Sequence, residues 1–129
     1  MPMVRISLLR GHNRSYKQKL SQILQQSLAS CFAVPTNDCF QLFDEYESEN
    51  RVIHPTYLSP GRSDDYVLIQ ITAGRPRSSL QKQNLYQQLA EQCQQQLDLA
   101  PADLMVVICF NHAEDWSFSQ GQIFTTEAL

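Results

Sequence analysis

Long apolar runs are missing from this 129-residue chain. None approaches the ~20 residues that a membrane-crossing helix needs. The start lacks the charged-then-apolar layout of a secretory signal. Runs of Lys or Arg are also absent, and the formal charge is −3. A nucleic-acid binder would carry a basic patch, and an anionic membrane would call for a polybasic segment. Neither partner is expected, and the protein is expected to be soluble and cytoplasmic. No C-x-x-C pair occurs among Cys31, Cys39, Cys93 and Cys109. Three of them (Cys31, Cys93, Cys109) fall on apolar stripes, where a free thiol acts as a small hydrophobe, and all four are expected to be reduced. His12, His54 and His112 show no ligand spacing, so a metal site is not expected. A chain of this length buries roughly two-thirds of its unfolded surface and folds without staples. One domain over residues 1–129 is the expectation.

What is present is a pattern that occurs twice. Met3 to Leu9 alternates apolar residues as a strand does, and Gly11 interrupts it. Ser15-Tyr16-Lys17-Gln18 has the form of a helix-starting capping box. Leu20, Ile23, Leu24, Leu28, Cys31 and Phe32 then follow at helical spacing. Pro35 lies past the helix, and Phe40 to Phe43 reads as a second strand. The order returns with Tyr66 to Thr72, Gly74, the box Ser78-Ser79-Leu80-Gln81, the stripe Leu85, Tyr86, Leu89, Ala90, Cys93, Leu97, then Pro101 and Leu104 to Phe110, read as a buried strand. Arg14 and Ser15 match Arg77 and Ser78 at a shift of 63; Leu20, Leu24 and Phe32 match Leu85, Leu89 and Leu97 at 65.

Each β-α-β unit should be a right-handed crossover between parallel strands. The expected fold is therefore α+β: two pseudo-symmetric β-α-β units forming a four-stranded mixed sheet with both helices on one face. The first unit covers about 2–43 and the second, with its tail, about 66–129. A polar connection over about 44–65 joins them, with room for a short hairpin. Trp116, Phe118 and Phe124 read as apolar anchors of an irregular tail. The sixteen glutamines read as a solvated helix surface.

Three features carry chemistry. The chain begins Met1-Pro2, and an initiator Met before a small residue is usually removed. The processed chain would then start with a secondary amine, able to shuttle a proton or to add to a carbonyl. Many chains that start Met-Pro use neither ability, but here the proline leads straight into a core strand. Gly74-Arg75-Pro76-Arg77 puts two guanidiniums around a φ-locked proline at a helix start, a fork suited to a carboxylate. Two solvated loop arginines are the alternative. Asp38 precedes the second strand and fits a turn or cap equally well. If the two halves pack antiparallel, Pro2, Asp38, Arg75 and Arg77 meet at one sheet edge. The other edge holds Arg10 and Arg14 with no amine, so one site per subunit is expected.

These residues resemble the tautomerase superfamily, and within it the malonate semialdehyde decarboxylase family. The resemblance covers essentially the whole chain and rests on Pro2, Asp38 after Pro35, Arg75 and Arg77 after Gly74, and Trp116-x-Phe118. It implies a tautomerase-like fold, a homotrimer and a small oxo-acid substrate, with no cofactor. In the implied reaction a 3-oxo acid loses carbon dioxide. Pro2 is the electron sink, Arg75 and Arg77 hold the carboxylate, and Asp38 orients Pro2 or activates a water. Trp116, Phe118, Phe124 and Leu129 are implied as pocket lining. Two alternatives stand beside it: a keto–enol tautomerase or hydratase of 2-oxo acids, and a non-catalytic ferredoxin-like domain that binds a small ligand.

Overall fold

The computed structural model describes residues 1–125. Its elements run β1 (Pro2–Leu9), α1 (Arg14–Phe32), β2 (Gln41–Tyr46), β3 (Val67–Ala73), α2 (Ser79–Leu97) and β4 (Leu104–Phe110). The strands form one sheet in the order β2-β1-β3-β4. β1 runs parallel to β2, β3 parallel to β4, and the central pair β1 and β3 is antiparallel. The architecture is the expected α+β arrangement of two crossovers. Both helices are 19 residues long and begin 65 residues apart. Arg5 and Gln70, equivalent under that shift, are partners across the central pair, so a local two-fold passes through the middle of the sheet.

One face of the sheet is covered. Val4, Ile6 and Leu8 of β1 and Val67, Ile69 and Ile71 of β3 are buried against Leu20, Ile23, Leu24, Leu28 and Phe32 of α1 and Leu85, Leu89 and Cys93 of α2. Alternation puts every second strand residue on that face, which is why these residues fold as strands. The other face is bare. Leu42, Met105 and Val107 are exposed there, and so is Cys109, which the apolar pattern of β4 had suggested was covered. The four thiols are free.

Four local readings are corrected. α1 is capped by Asn13, whose Oδ1 accepts from the Tyr16 amide at 2.8 Å, so Ser15 lies inside the first turn instead of starting it. Asn13, not Ser15, is the counterpart of Ser78, which does form its capping box with Gln81. β2 begins one residue later and runs on to Tyr46. Its charged end is tolerated because β2 is an edge strand, and Asp44 and Glu45 pair with Arg5 and Lys17. β3 covers Val67–Ala73, displaced by one residue from the span 66–72. The connection holds no hairpin; it makes one 3-10 turn over Ser48–Asn50. Arg51 then pins it, lying 3.7 Å over the Tyr66 ring and donating to the carbonyls of Ser7, Asp64 and Tyr66.

Burial gives the core a pH signature. The Cys93 thiol is pushed up to about 11 by desolvation, from an ordinary value of 9.0. The folded chain therefore holds this proton more tightly than the unfolded chain does. The stability it contributes is complete below about pH 9 and is lost as pH rises toward about 11. Tyr16, raised to about 12 by burial, extends the loss to higher pH. Urea midpoints are expected to fall over this window and to fall less steeply in Cys93→Ala. Parallel curves for the two proteins would refute the assignment.

Candidate active site

The start of β1, the end of β3 and the turn before β2 meet at one end of the sheet because β1 is parallel to β2 and antiparallel to β3. Pro2 is buried and sits opposite Ala73. Its nitrogen is acylated by Met1, whose own amine donates to Asp38 Oδ2 at 2.5 Å. Both partners are mostly shielded, at 17% and 18% exposure, so water screens this ion pair less than a surface pair.

Asp38 is held from behind. Its amide donates to the Pro35 carbonyl at 3.0 Å, closing the turn. Gln25 of α1 donates its side-chain amide to the carbonyls of Pro35 at 3.2 Å and Asp38 at 3.1 Å. Gln25 was indistinguishable in sequence from the solvated glutamines around it. Its position one residue after Leu24, at the rim of the buried stripe, was the only available signal.

Arg77 is the better anchored of the two arginines. Its Nη1 donates to the Arg75 carbonyl at 2.7 Å and its Nη2 to the Phe32 carbonyl at 3.0 Å. The guanidinium carbon lies 5.0 Å from the Phe32 ring centre. Nε is buried and has no partner. Burial lowers the Arg77 pKa, and the neighbouring Arg75 charge lowers it further, while Asp38 opposes them. That pattern places the two cations and the carboxylate in one electrostatic neighbourhood. Arg75 is exposed at the mouth.

These groups line a cavity of about 270 Å³ with Met1, Ala33, Val34, Pro35, Gly74, Ala113 and Phe124. It is mainly apolar, with Asp38, Arg75 and Arg77 as its charged groups. Wider depressions over the helices are open and lined by polar side chains such as Gln18, Gln22, Gln88 and Gln92. Trp116 packs against Gly74 and is not itself among the residues that line the cavity: its Nε1 donates to Asn111 Oδ1 at 2.7 Å, and a Cβ on Gly74 would lie only 2.9 Å from that nitrogen. Phe118 does not line the cavity. It is exposed, stacked on Trp116 at 5.4 Å and edge-on to Phe124 at 5.4 Å. Leu129 lies outside the described residues. Gly74 and Asn111 were not singled out as site residues in the sequence; the close approach that Gly74 permits exists only in three dimensions. Among the described residues no three His, Cys, Asp or Glu side chains come together as a metal-ligand set.

The opposite end of the sheet is built differently. Asp103 precedes β4 as Asp38 precedes β2, but it is buried and takes both the amide and the hydroxyl of Ser63, each at 2.6 Å. Arg51 bridges the strand ends there, and Arg10 pairs with Glu47. Among the described residues no chain terminus lies there, and the depression beside the start of β4 is lined by Leu58, Ser59, Pro60, Arg62, Pro101, Ala102 and Leu104, with no carboxylate among them.

A sheet of two β-α-β units with an amino terminus, a carboxylate and two arginines around a small cavity defines a class of small-molecule enzymes. The chain belongs to the tautomerase family: a family model described as a tautomerase enzyme matches residues 38–119, and a second of the same description matches residues 2–60. It is 34% identical over 122 residues to the probable tautomerase YusQ of Bacillus subtilis (strain 168), covering 95% of this chain and 96% of that one. Among solved structures it resembles malonate semialdehyde decarboxylase, whose wild-type, mutant and inactivated forms were described as a basis for decarboxylase and hydratase activities. The TM-score is 0.86 at 28% identity over 93% of this chain and 92% of that chain. A fused 4-OT described as a symmetric trimer shares the fold, with a TM-score of 0.76 at 16% identity over 94% of each chain.

Proposed function

We propose that the chain, once Met1 is removed, is a cofactor-independent amino-terminal-proline enzyme that decarboxylates a small 3-oxo acid of the malonate semialdehyde type. The observation that carries this reading is the amino terminus, Asp38, Arg75 and Arg77 around one cavity of about 270 Å³. That volume lies below the ~300–1,000 Å³ of drug-sized sites and suits a substrate of a few heavy atoms. Arg75 and Arg77 receive the substrate carboxylate. They turn it so that the bond to be broken overlaps the carbonyl π system, a positioning effect. Tight ground-state grip would not accelerate the step, because charge leaves the carboxylate during reaction. As the C1–C2 bond breaks, its electron pair passes into C2–C3 and negative charge grows on the carbonyl oxygen. A protonated prolyl nitrogen has two N–H donors. Once Met1 and its amine are gone, one would turn to Asp38, whose charge favours the protonated form, and the other to that oxygen. Carbon dioxide leaves and C2 takes up a proton. The apolar walls strengthen each of these charge interactions.

A panel of 3-oxo and 2-oxo acids on untagged, processed protein tests the reading. Carbon dioxide release from 3-oxopropanoate is expected. Fast enol or hydration turnover of 2-oxo acids without carbon dioxide favours the second reading, keto–enol tautomerisation or hydration, to which the name of the Bacillus relative points. In that case Pro2 acts as a neutral base at pH 7, and a nitrogen-NMR titration of Pro2 separates the two. No turnover in any arm leaves a ligand-binding module.

We further infer a homotrimer. The bare sheet face, with Leu42, Met105 and Val107 exposed, is the surface that self-association would cover. Val107→Glu is expected to convert the assembly to monomers on size-exclusion chromatography with light scattering; an unchanged mass would reject this face as the interface.

A further inference from the structure

Met1 is seated like a ligand. Its carbonyl carbon is bonded to the Pro2 nitrogen, and its carbonyl oxygen accepts a hydrogen bond from the Gly74 amide at 3.3 Å. Its side chain lies over the α-carbon of Gly74: a Cβ built there would stand 2.3 Å from Met1 Cε and 3.3 Å from Met1 Sδ. Met1 thus places a carbonyl group directly on the prolyl nitrogen, with a chain extending toward Trp116. When Met1 is removed, the Gly74 N–H loses this acceptor and the space above its α-carbon opens. The amide itself stays in place. β3 is paired with β1 at Pro2↔Ala73, and the Ala73 carbonyl accepts from the Asn111 amide at 2.9 Å. A backbone donor is then left pointing at the position beside Pro2, where a reacting carbonyl oxygen must sit.

We propose that the backbone N–H of Gly74 is the second donor to the substrate's carbonyl oxygen, completing with Pro2 a two-donor cradle for the developing enolate, and that glycine stands at 74 to leave room for the substrate between this amide and Trp116. This deepens the decarboxylase reading and rests on it. The electron pair released from C1–C2 ends as negative charge on the carbonyl oxygen. A fixed dipole aimed there contributes more in the transition state than in the ground state. The 3.3 Å length is measured to a neutral amide oxygen; a charged oxygen draws such a donor closer. Processing removes an acceptor and adds none from the protein, which leaves this amide free to donate to a bound substrate.

Two measurements test it. Processed protein labelled with nitrogen-15 glycine has four glycine amides to follow, and the Gly74 signal is the one missing from Gly74→Ala. Titration with malonamate, a carboxylate with an unreactive carbonyl, is expected to move that signal downfield. An unmoved Gly74 signal overturns the proposal, whether or not other signals move. The second measurement compares Gly74→Ala with Gly74→Pro. Both add a Cβ against Trp116, and only proline deletes the N–H. The kcat of Gly74→Pro is expected to fall roughly 10²–10³-fold below that of Gly74→Ala, the usual cost of one such donor. Equal kcat values in two variants with native circular dichroism overturn it. If Gly74→Pro does not fold, the malonamate titration decides. Wild-type protein that releases no carbon dioxide defeats the decarboxylase reading, and the Gly74 signal still reports the amide's role separately.

Discussion

A chain that keeps Met1 is expected to turn over oxo acids at least ~10³-fold more slowly than the processed chain. Three effects combine. Acylated Pro2 has neither a basic lone pair nor an N–H to donate. The Met1 amine is no substitute, because it sits one residue further out and is already engaged by Asp38 at 2.5 Å. The Met1 side chain also fills the space against Gly74. The comparison needs an amino-terminally extended protein and an untagged one, with both termini verified by intact-mass spectrometry. Equal turnover of the two would remove Pro2 from the mechanism.

Phe32→Ala is expected to cost about 3–5 kcal/mol of stability, the range for deleting a buried aromatic ring. Phe32 is the last residue of α1 and is fully buried. On a domain of ordinary stability, ~5–15 kcal/mol, this is a large fraction. It should show as a lowered midpoint in urea at unchanged slope. The same residue supports the site, because its ring lies beneath the Arg77 guanidinium and its carbonyl accepts from Nη2. KM for the carboxylate substrate should therefore rise in Phe32→Leu, a milder change that keeps the protein folded. A normal KM in Phe32→Leu would show that Arg77 does not depend on the ring for its aim.

Different parts of this molecule were legible to different degrees. Period-two alternation marked β1, and apolar runs marked β3 and β4, each to within a residue; β4 was read as a buried strand but is an edge strand whose alternate residues are exposed. The helical stripes were equally plain, and Ser78 with Gln81 announced the start of α2. Asn13 was missed in favour of Ser15 because both residue types cap helices, and only backbone geometry chooses between neighbours. The charged end of β2 looked like a loop, since an edge strand carries little of the core's pattern. Gln25 and Gln88 were hidden among sixteen glutamines. The first clamps the Asp38 turn, and the second satisfies the buried hydroxyl of Ser27 at 3.2 Å.

The residues of the candidate site were legible in the sequence: a proline after Met1, a carboxylate after Pro35, and two arginines after Gly74. So was the two-fold repetition of β-α-β, because burial periodicity is a local property of sequence. Folding decided at which edge of the sheet these groups gather around a cavity. Both edges carry arginines and an aspartate, but at one Asp103 is engaged by Ser63 and Arg51 by backbone carbonyls, while at the other Asp38, Arg75 and Arg77 line a cavity with the amino terminus. Folding also brought the Gly74 amide to the Met1 carbonyl across 73 positions of chain. A backbone N–H is common to every residue except proline, so no side-chain pattern can signal it; its direction is set only by the strand pairing that holds it.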